Sequence, residues 1–311
     1  MTTWRLVCDV GGTNIRYARC TDIGLISHVV TIPVRECISL ASTLKIYAHQ
    51  FQDADQLAGI VIAAAGPVDN GLVRLTNHDL TIDARDVSDE FSGKPVVVLN
   101  DLEAVAWSLP WLTSSDTRSI ISVDSSIIGP RLVINVGTGF GGALLINANA
   151  GWHVIPCEPG HMTASSEIRT LQHDDNKLSR FSIEDLISGQ ALNAIVRNIN
   201  IDSDENLQII DAIAPDIFTI LKSQPDGQSY IDHFSTLFGN VCGDLVLACG
   251  AWGGIYFCGS VARAWCRHGN VSAFHRAFTN KGPMSARMVR VQVHEIITSQ
   301  PALIGLSAVK L

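Results

Sequence analysis

The sequence predicts an α/β protein with a central mixed sheet, on three observations. The opening residues alternate glycine turns with runs rich in β-branched side chains. Two short apolar runs, Leu57–Ala64 and Pro95–Leu99, have the composition of strands buried on both faces. Helical stretches alternate with them, which is the pattern of an α/β layer.

Trp4–Asp9, Ile15–Cys20 and Leu25–Ile32 read as three short strands, and Ser39–Phe51 as a helix. Leu57–Ala64 is bounded by Gly66-Pro67, and Pro95–Leu99 leads into a helical stretch from about Asp101 to Leu109. A second set of strands follows at Leu132–Val136, Ala143–Ile146 and Trp152–Ile155. Past residue 180 the chain reads as mostly helical. Ser182-Ile183-Glu184-Asp185 carries a capping side chain and early acids, the mark of a helix start. Ile231, Phe234, Phe238, Val241, Leu245 and Ala248 fall three or four apart, as on one helix face. Gly253–Gly259 reads as turn, strand and turn, Val289–Val293 as a late strand and Pro301–Leu311 as a last helix. No internal repeat or low-complexity block is visible.

Composition excludes several classes. With 311 residues, 47% hydrophobic and 17% charged, the chain is long and apolar enough to bury a core and is not disordered. The net charge is −8, and the 22 Lys and Arg are scattered with no basic run of four. A nucleic-acid binder would show a basic stripe, so no nucleic-acid partner is expected. Anionic substrates must then be held by backbone N–H groups and a metal ion. The first residues, MTTWRLVCDVGG, lack the charged and apolar regions of a signal peptide. The apolar stretch Leu245–Ala262 is interrupted by four glycines, which fits a helix end, a turn and a buried strand better than a membrane span. Eight cysteines form no C-x-x-C pair and read as free thiols. A cytoplasmic protein without membrane contact is expected.

Four motifs carry chemistry. Asp9-Val10-Gly11-Gly12-Thr13-Asn14 lies between two strands, a hairpin whose N–H groups can wrap phosphate oxygens while Asp9 holds Mg²⁺ directly or through water; it also reads as a plain Gly-Gly turn. Gly137-Thr138-Gly139-Phe140-Gly141-Gly142 matches G-x-G-x-x-G, with Glu158 lying 21 residues past the first glycine. A dinucleotide fold requires that motif to open a helix. Here a strand follows, so it is a second Gly/Thr hairpin. Asn100-Asp101 sits at the carboxyl end of a buried strand, where α/β folds place ligands, and where Asn and Asp also cap helices. Glu158-Pro159-Gly160-His161 offers two polar groups suited to a polyhydroxyl ligand, with Cys157 beside them but no second cluster to complete a metal site. Thr76-Asn77-His78 and Glu184 add further polar candidates.

Together these motifs resemble the bacterial glucokinase family, of the sugar kinase, actin and heat-shock chaperone ATPase superfamily. The resemblance spans nearly the whole chain, from Asp9 through Thr76-Asn77-His78, Asn100-Asp101, Gly137-Thr138-Gly139, Glu158–His161 and Glu184…Ser188-Gly189 to Gly259. It implies a two-domain actin-like ATPase (ribonuclease H-like) fold with a central cleft. The small α/β domain would hold residues 1–109 plus 297–311, and the large one 110–296. It implies ATP and Mg²⁺ as cofactors, D-glucose as substrate and a homodimer. Gly11, Gly12, Thr13, Asn14, Gly137, Thr138 and Gly139 would hold phosphates, Asp9 would place hydrated Mg²⁺ and Gly259 would lie at the adenosine. Asn77, Asn100, Asp101, Glu158, His161 and Glu184 would ring the sugar, with Asp101 as general base for the 6-hydroxyl. The family's paired glycines are Gly259-Ser260 here, and Cys8 precedes Asp9 where glycine is common. The rival readings are a kinase for fructose, mannose or an amino sugar, a non-catalytic sugar sensor, and a chaperone-like or filament-forming ATPase.

Overall fold

The computed structural model describes residues 3–75, 78–123, 127–148, 151–164, 181–201 and 214–311. The chain divides into two compact units, Met1–Thr113 with Ala150–Pro156 and Thr298–Leu311, and Ser114–Asn149 with Cys157–Ile297.

The first unit is organised on a five-stranded sheet. β1 (Trp4–Val10), β2 (Asn14–Asp22) and β3 (Leu25–Pro33) form an antiparallel meander, and β4 (Leu57–Ala64) and β7 (Val96–Asn100) continue it in parallel, in the order β3-β2-β1-β4-β7. Side chains alternate across a strand. Trp4, Leu6, Cys8 and Val10 therefore join Ile60, Ile62 and Ala64 of β4 in one core, which Leu44 and Tyr47 of α1 (Leu40–Ala48) complete. The other face is covered by α3 (Asp101–Ser108) and α10 (Pro301–Ala308). These two helices touch at Gly305, where an added Cβ would collide with the Ala104 carbonyl. Arg5 ties the end of α10 to β1 by donating to the carbonyls of Val309, at 2.6 Å, and Ser307. A small hairpin, β5 (Leu72–Arg74) and β6 (Thr81–Asp83), leads into α2 (Ala84–Glu90).

The second sheet comprises β8 (Thr117–Ile121), β9 (Arg131–Val136), β10 (Phe140–Ala148), β11 (Gly151–Cys157), β12 (Ile255–Cys258) and β13 (Val293–Ile296), in the order β11-β10-β9-β12-β13-β8. β9 is antiparallel to β10 and parallel to β12, which is parallel to β13. The first sheet uses the same scheme, with β1 antiparallel to β2 and parallel to β4, and β4 parallel to β7. The sequence shows no repeat, yet the topology is repeated, because strand order depends on the pattern of buried positions and turns rather than on residue identity. The helices are α4 (Gly189–Ile201), α5 (Ala214–Ser223), α6 (Gly227–Cys249), α7 (Ser260–His268), α8 (Val271–Thr279) and α9 (Ser285–Met288). Phe238 of α6 is central to an aromatic core, with ring centroids 4.8 Å from Phe257, 5.1 Å from Trp265 and 5.3 Å from Phe274.

Three expectations are corrected. Ser182–Asp185 does not start a helix. It closes on itself, with the Asp185 carboxylate accepting from the Ser182 N–H and hydroxyl and the Ser182 Oγ accepting from the Asp185 N–H, and α4 begins only at Gly189. The last strand is Val293–Ile296 rather than Val289–Val293, because the N–H groups of Val289, Arg290 and Val291 are consumed in the helical turn that ends α9. Ala248 is exposed, while Ile231, Phe234, Phe238, Val241 and Leu245 are buried on α6 as the spacing predicts. The apolar stretch from Leu245 resolves into the end of α6, a left-handed Gly250, β12 and the start of α7. Among the described residues no helix is long and apolar enough to cross a membrane.

Gly305→Val tests the helix contact. Overpacking of this kind costs ~1–3 kcal/mol, and denaturant unfolding should show a lower midpoint at unchanged slope.

Candidate functional site

In the first unit the β1–β2 turn is held at its neck. Gly11 N–H donates to the Asn14 carbonyl at 3.0 Å, and Val34 N–H donates to the Thr13 carbonyl at 2.9 Å. Among the described residues nothing accepts from the N–H of Gly12 or Thr13, and both are exposed. Two amide donors therefore face outward. Asp9, opposite Arg16 in the β1–β2 register, is largely buried, at 15% side-chain exposure, and its ion pair with Arg16 is long, at 3.5 Å. Burial pushes its carboxyl above the usual range and the Arg16 guanidinium partly offsets this.

The carboxyl ends of the parallel strands are level. Val10 pairs with Ala64, and Ala64 with Asn100. The Asn100 side chain is committed to the frame. Its Oδ1 accepts from Leu102 N–H at 2.9 Å and Glu103 N–H at 3.3 Å, and its Nδ2 donates to the Gly66 carbonyl at 3.0 Å. Burial raises the proton affinity of the Glu103 carboxyl, and the backbone of Asn100 partly offsets this. Asn100 is thus the N-cap of α3, and Asp101 is its first helical residue, with Oδ1 2.9 Å from Leu102 N–H. A carboxylate there sits at the positive end of the helix dipole. Asn77 lies outside the described residues.

In the second unit four segments converge on the β9–β10 turn. Gly137 N–H donates to the Gly139 carbonyl at 2.9 Å, and Gly189 N–H donates to the Gly137 carbonyl at 2.8 Å. Thr138 is exposed, and among the described residues nothing accepts from its N–H. Glu184 Oε2 accepts from Phe140 N–H at 2.7 Å and fills the space where a Cβ on Gly139 would stand. The Glu184 N–H in turn bonds the Gly160 carbonyl at 3.0 Å. Gly160 lies so close to β10 that a Cβ would strike the Phe140 carbonyl. The Pro159–His161 turn is seated on the strand that follows the hairpin, with Glu158 and His161 exposed beside it. Gly259, at φ +93°, is the N-cap of α7 and passes against the Val136 carbonyl. The Ser260 hydroxyl stands 3.9 Å from the position a Gly137 Cβ would take.

The structure therefore brings Asp9, Gly11–Asn14, Asn100 and Asp101 together in one unit, and Gly137–Gly139, Glu158, His161, Glu184 and Gly259 in the other. Sequence reasoning quoted Ser188 in the resemblance but gave it no role of its own. Ser188, fully buried, caps α4 by accepting from Ala191 N–H at 3.1 Å and so presents Gly189 to the hairpin. Among the described residues no group of three or more His, Cys, Asp and Glu could hold a metal ion.

The glucokinase family profile matches residues 6–311. The chain belongs to the glucokinase family. It is 30% identical to the glucokinase of Psychromonas ingrahamii over 316 residues, covering 97% of this chain and 95% of that one. Its fold is similar to the crystal structure of glucokinase from an Antarctic psychrotroph, with a TM-score of 0.82, 25% identity and coverage of 99% and 98% of the two chains. It is also similar to a ROK family glucokinase from Streptomyces griseus in complex with glucose and AMPPNP, with a TM-score of 0.59, 18% identity and coverage of 98% of each chain. The α/β fold of the family, that of the actin-like ATPases, is the fold of this chain.

The cap assignment has a direct test. Asn100→Ala should lose ~0.5–2 kcal/mol of stability and Asn100→Asp much less, since both residues cap helices well. Urea unfolding of Asp101→Asn beside them should show a smaller change than Asn100→Ala.

Proposed function

We propose that the chain transfers the terminal phosphoryl group of ATP to the 6-hydroxyl of D-glucose, giving ADP and glucose 6-phosphate. One observation carries this reading. Asn100 caps α3 through its Oδ1, so the carboxylate of Asp101 is not required for the cap. A sugar hydroxyl is a poor nucleophile, and a carboxylate within hydrogen-bond reach can take its proton as the phosphoryl group arrives. Asp101 serves as that base.

Phosphoryl transfer needs positioning and charge neutralisation more than covalent chemistry. The hairpin amides of Gly11–Asn14 and of Gly137–Gly139 supply donors for phosphate oxygens, and Gly259 adjoins the adenosine. Asp9 suits Mg²⁺ held through water. Its carboxyl is largely buried and has one long ion pair, so it keeps acceptor capacity for the hydration shell of a cation. When bound, Mg²⁺ neutralises charge on the phosphates. Asn77, Asn100, Asp101, Glu158, His161 and Glu184 hold the sugar hydroxyls. Hydrogen-bond capacity limits two of them. Asn100 retains one N–H of its Nδ2 after bonding Gly66, and Glu184 retains Oε1 after accepting from Phe140. The neighbour in complex with glucose and AMPPNP supports the same pair of ligand classes for this chain.

A coupled ADP-release assay across glucose, fructose, mannose and glucosamine tests the substrate. Glucose should give the highest kcat/KM, and a clear preference for another hexose overturns that assignment. Asp101→Asn should lose at least ~10²-fold in kcat while still binding glucose by calorimetry. Near-normal turnover would remove Asp101 from the base role. Asp9→Asn should instead raise the Mg²⁺ concentration needed for half-maximal rate.

A further inference from the structure

One contact in the first unit is assigned no role by the reading above. His78 Nε2 lies 2.8 Å from the carbonyl oxygen of Gly12, across 66 residues of sequence. A carbonyl oxygen carries no proton, so the ring nitrogen donates. The Gly12–Thr13 peptide is trans and planar, with its C=O and N–H pointing in opposite directions. Holding the Gly12 carbonyl on one side therefore aims the Thr13 N–H to the other. That N–H has no acceptor among the described residues, and Thr13 is exposed. The next peptide is fixed as well, because Val34 N–H holds the Thr13 carbonyl at 2.9 Å. The second unit does the same with backbone, where Gly189 N–H holds the Gly137 carbonyl and so aims the Thr138 N–H.

We propose that His78 is a positioning residue for nucleotide binding. It orients the Thr13 amide toward a phosphate oxygen and touches neither sugar nor nucleotide itself. This rests on the reading that the β1–β2 hairpin holds phosphate. An unheld glycine peptide can rotate, and its amide must then be ordered at the moment of binding. His78 meets that entropic cost in advance. The proton on Nε2 is present in both the imidazolium and the Nε2–H neutral form, so the role does not depend on ionisation.

The test uses the full chain, with calorimetric titration of ADP and AMPPNP beside steady-state kinetics in ATP and glucose. His78→Ala should weaken nucleotide binding and raise the KM for ATP about five- to tenfold, the size of one ordinary hydrogen bond. The KM for glucose and kcat should stay within about twofold of the parent, and thermal unfolding checks that the variant is folded. His78→Gln, which carries an N–H donor at similar reach, should recover most of the affinity. The pH dependence of kcat/KM for ATP should keep the same shape in the Gln variant. Unchanged nucleotide affinity in a folded His78→Ala variant overturns the inference, as does a rise in the KM for glucose alone. If the parent chain does not phosphorylate glucose but His78→Ala still weakens nucleotide binding, the sugar-kinase reading fails and the role of His78 stands. If the parent binds no nucleotide, both fail.

Discussion

A peptide group has a donor at one edge and an acceptor at the other, and it cannot turn one outward without satisfying the other behind it. The chemistry of this protein depends on that constraint. An acidic chain, at −8, has no basic run with which to hold a polyphosphate. In the function proposed above it uses exposed N–H groups at the Gly12-Thr13 and Gly137-Thr138 peptides instead. The carbonyls behind those amides are held, by His78 in one unit and by Gly189 in the other. Preorganised donors need no rearrangement when charge arrives, which is the main advantage a rigid hairpin has over a flexible lysine.

Small residues in the second unit follow from the same need. Glu184 satisfies the Phe140 N–H from the position a Gly139 side chain would fill, and Gly160 lets the Pro159–His161 turn lie directly on β10. A carboxylate that holds the hairpin by its side chain and the Gly160 turn by its own N–H joins two motifs that the sequence separates by more than twenty residues. The spacing of Gly137-x-Gly139, Gly160 and Glu184 is therefore one packing arrangement rather than three independent signals.

Much of the fold was legible because burial leaves periodic marks. Leu57–Ala64 is a strand over those same residues, and the α6 face follows its three-and-four spacing down to Leu245. The rejection of a dinucleotide fold also followed from local pattern, since β10 continues straight out of the glycines. What escaped was long-range. Ser182–Asp185 has every local mark of a helix start, but its capping groups close a turn while Glu184 reaches back to Phe140, a partner 44 residues away. Val289–Val293 has strand composition, but the preceding helical turn had already used its donors. The candidate site residues were visible as residue types, and the bonds that hold them were not. Asn100-Asp101 reads as a helix cap or as a ligand position, and the bonds of Asn100 to Leu102, Glu103 and Gly66 make Asn100 the cap.

Asp9 and Asp101 stand in different environments within the first unit. Asp9 ends a buried strand beside Arg16, and burial makes its carboxylate costly unless more positive charge comes near. A group in that state is suited to having a hydrated cation beside it. Asp101 opens α3, half-buried, where the helix dipole favours a negative charge and where Asn100 is the cap. The Asn100 Oδ1 takes the amides of Leu102 and Glu103, while the Asp101 Oδ1 accepts from Leu102 N–H as well, at 2.9 Å, so the carboxylate is held against the helix start that Asn100 caps. Asn100 and Asp101 are therefore distinct parts, an uncharged residue that fixes the helix start and a charged one placed at the positive end of its dipole.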